Sequence, residues 1–252
     1  MFRLFYDLFG SGKAIISAKS EKGLKNNQED SYFISTVIRG CRLIIVADGV
    51  GGHGHGDFAS EFCVRAFSNE FRNIEKGFSP SGFLEQTSII IAEKILQKTK
   101  EDESYKNCGT TVSGFLLSGS EYYTLNIGDS RVYLFREELL IQLTEDHSLV
   151  KKMVKEGLIT EEEALVHPKR NIMTSALGQP LEMMTISIKG PQKWMKGDII
   201  LACTDGVHGF INDDRLSGVI KKSPPEALAD HIVDYALKSG STDNITCCCI
   251  KL

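Results

Sequence analysis

Three strand-like segments follow one another closely between residues 110 and 142. They are TTVSGFLL (110–117), EYYTLNI (121–127) and RVYLFR (131–136), and all are rich in β-branched or aromatic residues. Short turns such as LSGS and REEL join the strands of the stretch 110–142. Because parallel pairing of consecutive strands requires a crossover of about a dozen residues or more, such short turns indicate antiparallel pairing. The sequence therefore predicts an antiparallel meander over this stretch.

The rest of the chain mixes further strands with helices. Strand patterns occur at 13–19, 31–37, 42–47, 183–189, 198–203 and 244–251, and amphipathic helical patterns at 57–72, 80–100, 145–156 and 224–238. This order favours an α+β fold with antiparallel sheets over a regular βαβ series. We find no internal repeat and no linker, so we predict one domain over residues 1–252, with the polar stretch 157–180 as a flap-like insertion.

Composition limits the classes of function. The net charge of -4 argues against a dominant nucleic-acid-binding surface. The seven cysteines are odd in number and lack zinc-site spacing, so reduced thiols in the cytoplasm are expected. The N-terminal apolar stretch is too short for a signal peptide core or a membrane span. We expect a cytoplasmic monomer that binds neither membrane nor nucleic acid.

Acidic residues stand repeatedly at strand ends. LIIVADGVGGHGHG places an acid after an apolar run and follows it with five glycines and two histidines. The acids in this and the other strand-end positions are Glu29, Asp30, Asp48, Asp129, Asp205 and Asp243. Each alone is explained by a turn, since Asp-Gly is a favoured turn dipeptide. Gathered at one edge, however, they would repel one another unless cations neutralised them, and oxygen-only clusters select ions such as Mg²⁺ or Mn²⁺.

Eight motifs along the chain carry a family resemblance. They are KNNQED, VADGVGGHGHG, CGTTVSG, IGDSRVY, LTEDHSL, HPKRNIMTSALG, GDIILACTDGV and STDNIT. The series resembles the metal-dependent Ser/Thr protein phosphatases of the type 2C class, especially compact bacterial members, from about residue 15 to the C-terminus. The resemblance implies an αββα sandwich, with two central antiparallel sheets, outer helices and a metal centre at one end between the sheets.

The resemblance also implies roles for individual residues. Asp48 would bridge two cations. Glu29 and the Gly49 carbonyl would bind one of them, partly through water, and Asp205 and Asp243 would bind the other. Asp129 would contribute with Asp205 to a third metal site, Asp30 would be a neighbouring acid, and Asn244 would position the Asp243 loop.

The implied reaction is hydrolysis of phosphoserine and phosphothreonine in proteins phosphorylated by a Ser/Thr kinase. A water activated between two Mn²⁺ or Mg²⁺ ions would attack phosphorus in line with the leaving oxygen. The alternative is a catalytically weak or inactive, phosphopeptide-binding regulatory relative. Such a relative usually loses an acid, whereas Glu29, Asp48, Asp205 and Asp243 are all present.

Three positions depart from the family pattern. Lys25 stands where an arginine usually binds the substrate phosphate; it would bind as a point charge, or else be a solvated lysine beside a turn. Val50 replaces a histidine of animal members, which leaves His53 as a candidate proton donor or a solvated loop residue. Gly209 replaces an acid that would complete the third metal site, and we do not expect the adjacent His208 to substitute for it.

A nucleotide-binding reading of GSGK (10–13) is rejected. A phosphate-binding loop would need a glycine at Asp7 and a Ser or Thr at Ala14. We expect a turn into the first strand instead.

Overall fold

The structure, a computed structural model, describes residues 5–9, 12–51 and 55–252. Its strands are β1 (Phe5–Phe9), β2 (Gly12–Glu21), β3 (Asp30–Ile34), β4 (Cys41–Val50), β5 (Gly109–Thr110), β6 (Val112–Ser118), β7 (Glu121–Ile127), β8 (Arg131–Arg136), β9 (Leu139–Gln142), β10 (Ser187–Lys193), β11 (Ile199–Cys203) and β12 (Ile245–Lys251). Its α-helices are α1 (Gly56–Arg72), α2 (Pro80–Glu101), α3 (Leu149–Lys155), α4 (Glu161–Val166), α5 (Asp205–His208), α6 (Asp213–Lys222) and α7 (Leu228–Lys238). Short 3₁₀ turns occupy Glu103–Tyr105, Leu181–Met183 and Pro225–Ala227.

The strands form two sheets. Sheet I has the order β1-β2-β12-β11-β8-β9, and sheet II has the order β10-β7-β6-β4-β3, with β5 paired to β4. All the pairings between these strands are antiparallel. The predicted α+β fold with antiparallel sheets is therefore confirmed.

Hydrophobic cores separate four layers. Sheet II packs against α1 and α2 through a core that includes Leu43, Phe67 and Leu116. Sheet I packs against α6 and α7 through a core that includes Leu201 and Ile232. A third core, which includes Ile44, Phe115, Val132, Ile200 and Ile250, fills the space between the sheets. This layering is the αββα sandwich that the resemblance implied.

Strand β4 shows why its sequence is continuously apolar. Leu43 and Ile45 pack toward the helices, whereas Ile44 and Val46 face the other sheet. Since side chains alternate along a strand, both faces of β4 are buried and both must be apolar. Asp48 continues the Ile44 and Val46 face, so the same alternation directs its carboxylate between the sheets.

The cysteines behave as small core residues. All seven are free and buried. Along β12, Cys247 and Cys249 lie in the core against the helices, whereas Cys248 lies between the sheets.

The predicted meander is wrong at one point. Strands β6 and β7 pair in sheet II, but β8 pairs with β9 and β11 in sheet I. The chain crosses between the sheets at residues 128–130, where Gly128 has φ +106°. The REEL turn does form a hairpin, with Glu137 and Glu138 both at positive φ, as a two-residue type I′ connection requires.

Other elements were absent from the sequence prediction. They are β1, β5, β9, α4, α5 and α6. Two of these helices have readable start signals: Asn212 caps α6 through the Arg215 amide, and Thr160 with Glu163 forms a capping box on α4. The predicted flap segment (157–180) contains α4 and rejoins β5 through a Thr110–Leu177 bridge.

The GSGK motif falls partly on residues 10–11, which lie outside the described residues. In the part of the chain that the structure describes, no helix is both long enough and apolar enough to cross a bilayer.

We predict that Phe115→Ala destabilises the protein by about 3–5 kcal/mol, because it leaves a cavity between the sheets. Phe115 is fully buried, whereas Leu139 is 65% exposed and provides the matched control. Leu139→Ala should change the free energy of unfolding by less than about 0.5 kcal/mol. Urea denaturation measures both, and similar losses in the two variants would contradict the assigned inter-sheet core.

Candidate metal centre

Sheet II contributes two acids at one end of the sandwich. Asp30 and Asp48 are direct partners in the β3–β4 register. The Asp48 amide donates to Thr111 Oγ1 at 3.0 Å, and the Thr111 amide donates to the Asp48 carbonyl at 2.9 Å. The backbone that presents Asp48 is thus fixed on both sides.

Sheet I contributes acids that face them. Asp205 begins α5 directly after β11, and Asp243 precedes β12. The two strands are neighbours, and the Thr204 amide donates to the Thr246 carbonyl at 3.1 Å beside them. The Asp205 and Asp48 carboxyl groups lie within hydrogen-bonding reach of each other. The two sheets therefore bring Asp48 and Asp205 together.

Asn244 holds the loop that joins β2 to β3. Its Oδ1 accepts from the Glu29 amide at 2.7 Å, and its Nδ2 donates to the carbonyls of Lys22 and Asn27 at 2.8 and 3.0 Å. This amide ties the Glu29 loop to the Asp243 loop, which extends the predicted role of Asn244.

Lys25 projects from the same loop. Its Nζ lies 2.8 Å from Asp243 Oδ1, and the side chain is 48% exposed. The hydrogen bond to Asp243 raises the pKa of Lys25, with further contributions from the charges of Asp205 and Asp48. The structure thus pairs Lys25 with Asp243 and leaves about half of its side chain exposed to solvent.

Close packing of the backbone requires a glycine at position 49, directly after Asp48. A Cβ at Gly49 would lie 2.1 Å from the Gly56 carbonyl oxygen and 2.7 Å from that of Glu29. The Gly49 amide also donates to the Glu29 carbonyl at 3.0 Å. Only a residue without a side chain lets these three backbone segments meet beside Asp48.

We refer to Glu29, Asp30, Asp48, Asp129, Asp205 and Asp243 as the acid cluster. Burial raises the pKa of Asp48 well above its ordinary value, and the charges of Asp30 and Asp205 raise it further. Burial likewise raises the pKa of Asp30 and of Asp129 to about 7. The pKa values of Asp205 and Glu29 are also raised by burial. Without a cation, the protein environment thus opposes the charged form of these groups.

Two observations indicate that a divalent cation fits this site. One buried carboxylate oxygen has no hydrogen-bond partner in the described part of the chain, and the candidate ligand atoms are oxygens. Asp30 Oδ2 accepts from Thr204 Oγ1 at 2.8 Å, whereas the buried Oδ1 has no hydrogen-bond partner among the described residues. No three His, Cys, Asp or Glu side chains within residues 5–9, 12–51 and 55–252 already surround a common point. The acids are gathered but not closed into a cage, and their oxygens fit Mg²⁺ or Mn²⁺.

A cavity of about 240 Å³ adjoins the acid cluster. Asp129 and Asp205 line it together with His208, Gly209 and Arg131. His208 Nε2 donates to the Asp129 carbonyl at 3.0 Å, and burial lowers the pKa of His208 to about 3. Sequence reasoning missed this contact of His208 with the Asp129 turn.

Arg131 was also missed by the sequence reasoning. It forms a two-pronged ion pair with Asp146, at 2.9 and 2.6 Å, and thereby joins the IGDSRVY and LTEDHSL motifs. Their co-occurrence was the available signal, but the motifs alone did not specify the pair.

The two histidines of the glycine-rich stretch have separate outcomes. His53 lies outside the described residues. The His55 ring stacks on the Tyr105 ring with centroids 4.5 Å apart, and the His55 carbonyl accepts from Cys108 Sγ.

Comparisons with known proteins agree with this geometry. A family model described as "Protein phosphatase 2C" matches residues 20–239. The serine/threonine phosphatase stp of Listeria monocytogenes serotype 4b is 32% identical over 233 residues, covering 90% of this chain and 92% of that protein.

Solved structures give the same result. The Mycobacterium tuberculosis serine/threonine phosphatase PstP/Ppp superposes with a TM-score of 0.85 at 30% identity, covering 95% of this chain and 98% of that chain. The catalytic domain of PstP in complex with 2 manganese ions superposes with a TM-score of 0.82 at 28% identity, covering 94% of this chain and 97% of that chain. With its layered sheets, its converging acids and a family match over most of its length, this chain belongs to the protein phosphatase 2C family.

Proposed function

We propose that this chain hydrolyses phosphoserine and phosphothreonine in proteins with the help of two divalent cations, Mn²⁺ or Mg²⁺. The observation that carries the proposal is the convergence of Asp48 from one sheet with Asp205 from the other. The presence of Glu29, Asp48, Asp205 and Asp243 supports an active enzyme over a phosphopeptide-binding relative. The relative with two manganese ions in its structure supports the choice of metal.

Within the proposal, Asp48 would bridge both cations. Glu29 and the Gly49 carbonyl would hold one, and Asp205 and Asp243 would hold the other. The chemistry supplied by such a bound pair is Lewis acidity toward the phosphoryl group and toward water. A third cation would be held by Asp129 and Asp205 alone, because Gly209 stands where other family members have an acid. We therefore propose that two ions are bound in the active enzyme.

The chain's own residues prepare the site for a phosphate. The Asn244 amide fixes the loop that carries Lys25 and Glu29. The half-exposed Lys25 ammonium lies beside Asp243 of the acid cluster, where it can donate to a phosphoryl oxygen. Thr204 holds one oxygen of Asp30 and leaves the other unpartnered beside Asp48.

We further propose a monomer that acts in the cytoplasm on the products of a Ser/Thr kinase. Seven buried free thiols support a reducing compartment. The negative net charge supports protein rather than nucleic-acid substrates.

We expect hydrolysis of a phosphothreonine peptide with Mn²⁺ or Mg²⁺, none with chelator, and poor replacement by zinc, which favours nitrogen and sulfur ligands. Asp48→Asn and Asp205→Asn should each abolish turnover without unfolding the protein, because each removes a proposed ligand. The exposed Asp234→Asn is the matched control and should keep full activity. Turnover that survives exhaustive chelation, or near-normal rates in both ligand variants, would contradict the metal assignment.

The pKa shifts predict how the stability of the metal-free protein depends on pH. Asp30 and Asp129 have folded-state pKa values of about 7, raised from an ordinary 3.8. Folding without metal therefore takes up protons, and the stability so gained is lost as pH rises through about 7. Between about pH 6.5 and 8 the two acids contribute a loss of roughly 1–2 kcal/mol. His147 and His208, whose pKa values the fold lowers, offset part of it because they are half protonated in the unfolded state at about pH 6.5, so we expect a net loss of roughly 1 kcal/mol.

Differential scanning fluorimetry in chelator measures this dependence. The fall in Tm should shrink in Asp129→Asn, which has one fewer titrating carboxyl group. It should also shrink with saturating Mn²⁺. A metal-free Tm that rises between these pH values would contradict the raised pKa values.

We predict that Lys25→Ala lowers kcat/KM for a phosphopeptide about tenfold to hundredfold. The reason is loss of a charge-assisted hydrogen bond worth roughly 1.5–3 kcal/mol. Lys25→Arg should retain or improve activity, because a guanidinium can engage two phosphate oxygens. Lys22→Ala on the same loop is the matched control, since the Lys22 side chain is exposed and its ammonium donates to the Asn26 carbonyl. Unchanged steady-state kinetics in Lys25→Ala would rule out the phosphate role.

A further inference from the structure

His147 is a buried histidine that the proposed chemistry does not use. It follows β9 in the LTEDHSL motif and is 8% exposed. Sequence reasoning assigned no site role to it. Its contacts, however, reach both the turn that presents Asp129 and the flap segment.

The first set of contacts holds the turn between the sheets. The Gly128 amide donates to His147 Nδ1 at 3.2 Å, and the His147 amide donates to the Gly128 carbonyl at 2.9 Å. Asn126 Nδ2 donates to the same carbonyl at 3.1 Å. Both backbone polar groups of Gly128, the residue before Asp129, are therefore fixed.

These contacts also fix the state of the imidazole ring. A backbone N–H can only donate, so Nδ1 must carry a lone pair and the ring proton must lie on Nε2. Nε2 lies 2.9 Å from Ser187 Oγ at the start of β10, and it donates to that hydroxyl. Burial lowers the pKa of His147, which favours the neutral ring that this arrangement requires.

The second set of contacts reaches the flap segment. The Thr174 amide donates to the His147 carbonyl at 2.8 Å. The next residue, Ser148, forms a bridge with Met173 and caps α3 through the Lys151 amide. One residue thus joins the Asp129 turn, the flap segment and the edge of sheet II.

We propose that His147 is a positioning residue: its Nδ1 lone pair fixes the turn that presents Asp129, and its backbone fixes the base of the flap segment. The cavity between the flap segment and the acid cluster then keeps one shape. This inference rests on the proposed phosphatase function for its kinetic consequence, but not for its structural one.

Two near-isosteric variants separate the contacts of the ring. In His147→Asn the amide oxygen takes the place of Nδ1 and can still accept from the Gly128 amide. In His147→Gln the amide nitrogen takes the place of Nε2, so the side chain keeps its contact with Ser187 but loses the one with Gly128. Ser187→Ala removes the Nε2 partner alone. His231→Gln is the matched control, because His231 is an exposed histidine whose ring contacts Ser223, the residue that follows α6.

We expect His147→Gln to lower kcat/KM for a phosphothreonine peptide about tenfold to hundredfold, because the loosened Asp129 turn reshapes the cavity that it lines together with Asp205, and a small misplacement beside the reacting groups costs about that much. His147→Asn, Ser187→Ala and His231→Gln should stay close to the unsubstituted protein. Limited trypsin digestion at the exposed Lys169 and Arg170 should accelerate in His147→Gln only, because residue 147, once its side chain no longer accepts from Gly128, holds the Thr174 amide of the flap segment less firmly through its carbonyl. Long-range ¹⁵N NMR spectra of the unsubstituted protein should show the neutral Nε2–H tautomer.

Equal losses in the Asn and Gln variants, or an Nδ1–H tautomer, would overturn the proposal. If a variant does not fold, the tautomer and the Ser187→Ala kinetics still decide the question. A lack of phosphatase activity in the unsubstituted protein would contradict the proposed function instead, while the digestion rates and the tautomer would still test His147.

Discussion

The structure depends on the apolar core between the two sheets, because that core fixes how closely their acidic ends approach. Ile44 and Val46 on β4 pack against residues such as Ile200 and Ile250 of the opposite sheet. The same face of β4 then continues into Asp48, so hydrophobic packing and charge convergence share one strand. Burial stabilises the first part of this arrangement and destabilises the second, since carboxylates in low-dielectric surroundings resist ionisation. A divalent cation between these carboxylates would resolve the conflict by neutralising their charges.

The sequence allowed this part to be predicted because its signals are local. A strand buried on both faces must be continuously apolar, and an abrupt change to Asp-Gly marks its end. The same reasoning applied to Asp205 after β11 and to Asp243 before β12. What local signals could not supply was the pairing of those strand ends across the sandwich. That step came from the family resemblance, and the structure brings Asp48 and Asp205 together.

The errors arose where a contact between distant residues decides the outcome. The short link between β7 and β8 indicated a hairpin, yet Gly128 carries the chain to the other sheet because β8 pairs with β11. Helix α6 was missed although Asn212 is a readable cap, since its apolar face is recognised only against the sheet I core. His208 was set aside as a ligand candidate, and its contact with the Asp129 carbonyl depends on a partner 79 residues away.

Lys25 shows how a departure from the family pattern can remain compatible with the site. An arginine presents its donors in one rigid plane, so a guanidinium that pairs with an acid has its remaining donors directed by that pair. A lysine ammonium has three donors on a freely rotating head, and the Asp243 contact at 2.8 Å uses one of them. The remaining donors stay available at the mouth of the acid cluster without breaking the ion pair. Lysine at this position therefore lacks the two-pronged hydrogen bonding of a guanidinium. Its ammonium can still pair with Asp243 and donate to a phosphate at the same time.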